Sequence, residues 1–243
     1  MVNSRKTKAI ILHSFKYGDS SLISHVYTEM FGRCSIIIKG AFSKKASIPA
    51  KWFQPLTLVN GEILFSTKRE LQSARHLTLE PPLFGLKGNP VKSAVALFLG
   101  EFFYKVLREE ESNASLFEFL YNSILIFDAA EQGCANFHLL LLLQLSRFMG
   151  FYPNNDYSME NCWFDLEKGH FTKLPSARNI NCEMGEVFSK MLDCPMSEMD
   201  RFNINSAVRN TILDGIISFY NIHQGGVSDI KSLAVLRGLW NGE

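Results

Sequence analysis

The sequence predicts an α+β protein, with a small β-barrel at residues 1–80 followed by an α-helical domain at residues 81–243. Short β-prone runs separated by turn signals fill the first part, whereas beyond Pro90 the apolar residues recur with the period of a helix. The charge divides at the same place. The first part holds 12 Lys and Arg against 5 Asp and Glu, a net of +7, and the second holds 13 against 19, a net of −6. The basic part is therefore expected to bind a polyanion. The alternative is that the charge segregation has no functional role.

The strand pattern of the first part predicts a small closed or partly open barrel. Asn60-Gly61 is a strong hairpin signal inside the fourth β-prone run. Pro81-Pro82 is expected to end the barrel, and residues 85–90 are predicted to form a linker. The β-prone runs cover residues 7–15, 22–28, 33–39, 53–64 and 71–79.

Apolar stripes and start signals predict helices in the second part. Pro90 suits the first turn of the first helix, and Ser115 with Glu118 forms a capping box for the second. The third, residues 136–149, is apolar nearly all round and is therefore predicted to be the core helix. Residues 151–181 are expected to form an irregular, hairpin-like insertion. Further helices are predicted over 184–192, over 205–220 and up to residue 239.

The cysteine pattern predicts reduced thiols in a cytoplasmic chain. The count is odd, the spacings are wide, and no secretory leader is expected ahead of them. No membrane span is expected either, because the most apolar segment, residues 137–151, is too short and is interrupted by polar residues. The cysteines are Cys34, Cys134, Cys162, Cys182 and Cys194.

No cofactor and no metal are expected. A closed zinc site needs four ligands, usually supplied as close-spaced pairs. Cys162, Cys182 and Cys194 stand 20 and 12 positions apart, each without a paired cysteine beside it. His170 could complete a site if the insertion folded around it, but unpaired ligands seldom make a structural site.

The sequence carries no constellation that points to an enzyme. It has no Gly-rich run followed by Lys-Ser or Lys-Thr and no Gly-x-Ser-x-Gly elbow. The six histidines are scattered, and His138 on the apolar helix is interpreted as a core or rim histidine rather than a ligand. A hydrolase that uses these histidines is therefore disfavoured.

A basic loop within residues 33–52 is the candidate nucleic-acid site. Phe42 stands there among lysines, and cations replace counterions on phosphates while a ring offers its face to a base. The alternatives are an ordinary solvated loop and, for Phe42, burial against the barrel. The predicted DNA-binding residues are Arg33, Lys39, Phe42, Lys44, Lys45, Lys68 and Arg69.

Motifs in both parts of the chain resemble those of the RecO family, bacterial mediators of DNA repair and recombination. In the barrel part they are KAIILHSFKYGDSSL at 8–22, VYTEMFGR at 26–33, IKGAFSKKAS at 38–47 and QPL at 54–56. In the helical part they are GEFFYKVL at 100–107, LFEFL at 116–120, the core-helix pattern over 137–153 and DIKSL at 229–233. The likeness covers most of the chain and is weakest over 154–200.

The resemblance implies an OB-fold barrel in a non-catalytic, cytoplasmic protein associated with the nucleoid. Such a protein binds single- and double-stranded DNA, anneals complementary strands and contacts the partner RecR. It also recognises the acidic, apolar C-terminal tail of single-stranded-DNA-binding protein, and thereby helps RecA to load on gapped DNA. An OB-fold adaptor that binds only protein is the alternative, and salt dependence separates the two.

Binding of the tail of single-stranded-DNA-binding protein requires a hydrophobic pocket, with a cation at its rim to bind the terminal carboxylate. The alternative is that the apolar candidates are plain core and the cations are solvated. Two departures from the family pattern bear on this chain: the insertion has single cysteines where many relatives carry close pairs, and Asn136 precedes Phe137 where Arg is common. The predicted tail-binding residues are Phe102, Lys105, Arg108, Phe137, Leu140 and Arg147.

Overall fold

The computed structural model describes residues 3–240, and this part of the chain falls into two compact units that divide between Asp128 and Ala129. The boundary proposed at residue 80 follows the last barrel strand directly, but the first unit continues through the helices beyond it. None of the helices between residues 3 and 240 combines the length and the apolar character that a membrane span requires.

The described part of the first unit is built on a closed barrel with the strand order β1-β2-β3-β5-β4. Strands β3 and β5 are parallel, and the other neighbours are antiparallel. The predicted OB-fold barrel followed by a helical region is thereby confirmed. The strands are β1 (Asn3–Tyr17), β2 (Ser21–Thr28), β3 (Gly32–Ile38), β4 (Leu58–Phe65) and β5 (Leu71–Leu79).

The hairpin predicted at Asn60-Gly61 is wrong, because β4 runs straight through both residues. The pairing of β4 with β5 shifts register between Asn60 and Glu62. A Cβ on Gly61 would lie 2.7 Å from the Leu77 side chain and 3.0 Å from the Arg75 carbonyl oxygen. Gly61 therefore allows β5 to approach β4 closely at a bulge, and it does not form a turn.

Two boundary predictions in the first unit need correction. The segment predicted to be a linker contains a short helix, α1. The capping box predicted at Ser115 is wrong, because helix α3 already begins at Ala114. The Asn113 Oδ1 accepts the Leu116 N–H at 3.0 Å instead. The start of α2 at Pro90 is confirmed, with Asn89 as its cap. The helices are α1 (Phe84–Gly88), α2 (Pro90–Val106) and α3 (Ala114–Ala129).

Helix α2 lies against the outside of the barrel at Gly100. A Cβ at this position would lie 2.7 Å from the Leu12 carbonyl oxygen and 2.7 Å from Pro55 Cβ, so a side chain there would push the helix away from β1. On helix α3, Phe117 stacks on Tyr27 of β2 with ring centroids 6.3 Å apart. The helices thus cover part of the outer barrel face.

An acidic segment, residues 109–111, packs against the start of β3. The Arg33 N–H donates to the Glu109 carbonyl oxygen at 3.0 Å. Gly32 has a φ of 64°, and a Cβ there would overlap the Glu111 carbonyl oxygen. Glycine is required at this position both by its left-handed backbone and by the close approach.

The second unit is centred on a buried helix, which confirms the core helix predicted over 136–149. Leu139 to Leu143 are at most 1% exposed, and the Tyr220 hydroxyl donates to the Leu142 carbonyl oxygen at 2.6 Å. The insertion contributes a small sheet with the order β7-β6-β8. The helices are α4 (Phe137–Phe148), α5 (Cys182–Leu192), α6 (Ser206–His223) and α7 (Ser232–Trp240), and the strands are β6 (Trp163–Asp165), β7 (His170–Thr172) and β8 (Asn179–Ile180).

The expectation that all thiols are reduced is wrong for Cys162 and Cys182, which form a disulfide. Strands β6 and β8 pair with Phe164 opposite Ile180, so the same antiparallel register carried two residues further brings the cysteines together. Their Cα atoms are 4.6 Å apart. Within residues 3–240 no group of three His, Cys, Asp or Glu side chains is arranged to hold a metal ion, and the absence of zinc stays a prediction.

Replacing Gly32 by Ala is expected to lower the free energy of unfolding by about 2–4 kcal/mol, from the left-handed backbone and from overpacking against residues 109–111. Gly18→Ala is the matched control, because Gly18 has a φ of 60° and a Cβ there would have nothing within 4 Å. The control should lose about 1–2 kcal/mol, the backbone part alone. Chemical denaturation followed by circular dichroism measures both, and equal losses would contradict the packing argument.

The buried His138 is expected to make the protein less stable as the pH falls below its ordinary pKa. Burial lowers the pKa of His138 to about 3, and the positive charge of Arg209 adds to this effect. The unfolded chain takes up the proton near pH 6.5, so the free energy of unfolding falls between pH 6.5 and about 3, by up to about 1.4 kcal/mol per pH unit. Above pH 6.5 the residue adds no pH dependence.

Denaturation curves at a series of pH values test this for the wild type and His138→Leu. The variant should show a shallower fall of stability with decreasing pH. His76→Asn is the control, because it replaces an exposed histidine by a residue that tolerates the left-handed backbone found there, with a φ of 53°. Parallel profiles for the wild type and His138→Leu would rule the explanation out.

Candidate nucleic-acid interface

The turn between β4 and β5 presents two of the predicted cations on a fixed backbone. The buried Gln72 side chain accepts the Ser66 N–H at 2.8 Å and donates to the Ser66 carbonyl at 3.1 Å and to the Arg69 carbonyl. Lys68 and Arg69 are exposed on this turn. The two cations were predicted from the sequence, whereas the role of Gln72 was not. An alternating strand pattern does not indicate which backbone groups a buried glutamine side chain will bind.

Arg33 is a third predicted cation on the same surface, and it is also tied to helix α2. Its Nη1 donates to the Tyr104 carbonyl oxygen at 3.1 Å, and its guanidinium lies 5.6 Å from the centroid of the Tyr104 ring. A cation at the carboxyl end of a helix is favoured by the helix dipole. Arg33 therefore has a structural partner besides any ligand it binds.

Arg33, Lys68 and Arg69 line one groove of about 590 Å³ beside the parallel β3–β5 pair. Glu70 and Glu110 are also on its walls. Cys34 lies there as well, and burial raises the pKa of its thiol to about 12, with the charge of Glu110 adding to the shift. The thiol is therefore neutral at physiological pH, and the groove carries three cations and two carboxylates.

A second groove, of about 540 Å³, adjoins the other end of the β3–β5 pair. Lys39 lines it together with Arg75 and His76. Of these, sequence reasoning proposed Lys39 alone. Arg75 is exposed although the core residue Leu77 follows two positions later on β5, because the pairing with β4 shifts register beyond Arg75, and local sequence does not indicate that shift.

The loop that carries Phe42 is held against the turn between β1 and β2. The Phe42 N–H donates to the Ser20 carbonyl at 3.1 Å, while Ala41 is buried. The Phe42 ring is 47% exposed, and the Lys16 Nζ lies 5.8 Å from its centroid. Phe42 is therefore not buried against the barrel, and Lys16 is a neighbouring cation that sequence reasoning missed.

Lys44 and Lys45 follow in the same loop. Both are exposed, and the loop backbone around them closes through Ser43 N–H to the Gly40 carbonyl at 3.0 Å and Ala46 N–H to the Ser43 carbonyl at 3.2 Å. Two exposed cations thus stand beside an exposed ring on an ordered backbone. This arrangement can neutralise phosphates and stack a base.

The predicted tail-binding residues are divided between the two units. Phe102, Phe137 and Leu140 are 0% exposed, which is the plain-core alternative that the sequence left open. In the first unit the Arg108 Nε donates to the Lys105 carbonyl at 2.9 Å. In the second unit the Arg147 guanidinium lies 4.0 Å from the centroid of the Tyr152 ring, a cation–π contact.

Two family models match consecutive parts of the chain. The model described as Recombination protein O N terminal matches residues 1–81. The model described as Recombination protein O C terminal matches residues 88–234.

Curated relatives align along nearly the whole chain. The DNA repair protein RecO of Azobacteroides pseudotrichonymphae is 36% identical over 239 residues, which is 97% of this chain and 99% of the relative. The protein of the same name from Bacteroides fragilis is 35% identical over 240 residues, covering 98% and 99%. That from Flavobacterium psychrophilum is 30% identical over 237 residues, covering 97% and 99%. With these relatives and both family models matching, the chain belongs to the RecO family of DNA repair and recombination proteins.

Proposed function

We propose that this chain is a recombination mediator that binds single- and double-stranded DNA, anneals complementary strands and helps RecA to load on gapped DNA coated with single-stranded-DNA-binding protein. The observation that carries the proposal is the meeting of Arg33, Lys68 and Arg69 on one groove of the barrel. Several cations that share a groove neutralise successive phosphates of one strand. Family membership supports the same role in DNA repair and recombination.

Annealing needs charge neutralisation rather than bond-making chemistry. Two complementary strands repel each other through their phosphates, and a protein that neutralises part of that charge lets them approach. The Gln72-braced turn supplies Lys68 and Arg69, and the hydrogen-bonded loop after Gly40 supplies Lys44 and Lys45. We therefore propose that the chain acts without catalysing a reaction, as a DNA-binding protein in the cytoplasm, at the nucleoid.

The helical part is proposed to contact protein partners, RecR and the tail of single-stranded-DNA-binding protein. A peptide carboxylate is met best by an arginine or a lysine. Because Phe102, Phe137 and Leu140 have no exposed surface, the cations Lys105, Arg108 and Arg147 are the stronger candidates for tail contacts.

The purified protein is expected to accelerate annealing of complementary oligonucleotides, measured by fluorescence quenching with and without single-stranded-DNA-binding protein. Its affinity for DNA should fall log-linearly with salt. The triple variant Lys39/Lys44/Lys45→Ala should lower the salt slope by about 0.7–0.9 unit for each phosphate that is no longer neutralised, and it should anneal more slowly.

The matched control replaces Lys168, Lys173 and Lys190 in the second unit by alanine, which removes the same charge from exposed positions. The control should keep the wild-type slope. A folded triple variant with an unchanged slope would remove the loop from the DNA site. A wild type that binds no DNA would leave the protein-only adaptor as the better explanation.

A labelled peptide with the acidic, apolar-ended sequence of the tail is expected to bind the wild type and to bind at least one of Lys105→Ala, Arg108→Ala and Arg147→Ala more weakly. Loss of one charge-assisted hydrogen bond predicts a loss of about 1.5–3 kcal/mol. Anisotropy titration measures this, with Lys87→Ala on α1 as the control for removal of an exposed cation. Equal affinity in all the variants would place the tail contact elsewhere.

A further inference from the structure

A group of aromatic and imidazole rings lies on the outer face of the barrel. This ring strip consists of His13 and Phe15 from β1, His25 from β2 and Tyr104 from α2. The His25 and Tyr104 centroids are 4.6 Å apart, and those of His13 and Tyr104 are 5.7 Å apart. The His25 ring lies 5.9 Å from Phe15 and 6.3 Å from His13. The four rings therefore form one continuous surface.

The strip results from the bulge in β1. Strand β1 pairs with β2 through a register shift between Ile11 and His13, and His13 then stands opposite His25. Ile11 points into the barrel core, so without the shift His13 would follow it inward. Helix α2 supplies the last ring, because Tyr104 lies one turn beyond the close contact at Gly100.

The rings on β1 are exposed to solvent. Phe15 is 42% exposed and the next residue on the same face, Tyr17, is 51% exposed, while His13 is also exposed. Large apolar rings in a contiguous exposed row are typical of a binding surface rather than of a solvated sheet face. The strip does not fill a core.

The strip is held in place and is not negatively charged. His25 Nδ1 is hydrogen-bonded to Ser35 Oγ at 2.8 Å. Burial lowers the pKa of His25, with His13 and Arg33 adding to the shift, so its ring stays neutral at physiological pH. The Arg33 guanidinium, 5.6 Å from the Tyr104 centroid, places a cation at the edge of the strip.

Rings beside a cation match the two parts of a nucleotide, a flat base and a phosphate. Stacking tolerates any base, because every base has a π face. In a duplex the base faces are already stacked on one another, so the strip can reach them only in an unpaired strand. The net charge of +7 over residues 1–80 favours a polyanionic occupant over an acidic patch of a folded protein.

We propose that the ring strip stacks the unpaired bases of single-stranded DNA while Arg33 contacts an adjoining phosphate. This inference rests on the proposed DNA-binding function and deepens it. The grooves beside β3 and β5 bind the backbone of either form of DNA, and the strip adds affinity for the single-stranded form. The barrel thereby distinguishes the strand to be annealed from the duplex that is its product.

The test compares Phe15→Ala and Tyr104→Leu with the wild type in the full chain, with oligothymidylate and a duplex of equal length as probes. Each variant should bind oligothymidylate about 5- to 150-fold more weakly, the range for loss of one stacked base, and should bind the duplex as the wild type does. The control is Phe84→Ala, which removes a 78% exposed ring on α1. It should change neither affinity.

A second measurement does not depend on the variants. Oligothymidylate carrying iodouracil, irradiated in complex with the wild type, should cross-link to peptides that contain Phe15 or Tyr104. Unchanged oligothymidylate binding in both folded variants, an equal loss for duplex, or cross-links confined to other peptides would overturn the ring-strip proposal alone. A wild type that binds neither probe would overturn the proposed function as well.

Discussion

The close contact of α2 with β1 at Gly100 is the constraint on which the rest of the first unit depends. Because a Cβ would lie 2.7 Å from the Leu12 carbonyl oxygen, the helix backbone can rest on the strand only through glycine. That contact fixes the path of α2 across the barrel. It brings Tyr104 to His25 and the carboxyl end of the helix to Arg33. The chain then continues into the acidic segment that packs on Gly32.

Arg33 links this packing to the candidate DNA site. Its backbone N–H donates to the Glu109 carbonyl oxygen, and its Nη1 donates to the Tyr104 carbonyl oxygen. The Arg33 side chain also lines the groove with Lys68 and Arg69. A guanidinium has five N–H donors in a fixed fork, so it can brace a helix end and still donate to a phosphate. Glu110 on the groove wall would repel a phosphate bound there. The groove thus balances attraction by three cations against repulsion by nearby carboxylates.

Much of the fold could be predicted because it is encoded locally. The β-branched run at Ile36 and Ile38 and the apolar stripe of α2 depend on periodicity alone. The errors came where a local signal has two uses. Asn60-Gly61 fits a hairpin turn and also a bulge, and only the neighbouring strand, with Leu77 against Gly61, decides between them.

The residues of the candidate site likewise form two groups, those that the local sequence indicates and those that only the folded structure brings together. Lys44, Lys45 and Phe42 could be proposed from the sequence because composition alone indicates a basic loop with an aromatic residue. Gln72, and the meeting of Tyr104 with His25, were missed because they depend on which strands and helices become neighbours. The disulfide between Cys162 and Cys182 was missed for the same reason, since it follows from the register of β6 with β8.

The two family models meet between residues 81 and 88, whereas the first compact unit ends at Asp128. The segment that matches the N-terminal family model is therefore shorter than the compact unit that contains it. A gene fragment cut at the family boundary would encode a barrel without the helices that pack on Leu12 and Tyr27 and without the carbonyl groups that Arg33 binds. For expression, crystallisation or domain exchange, the natural place to cut this chain is after α3.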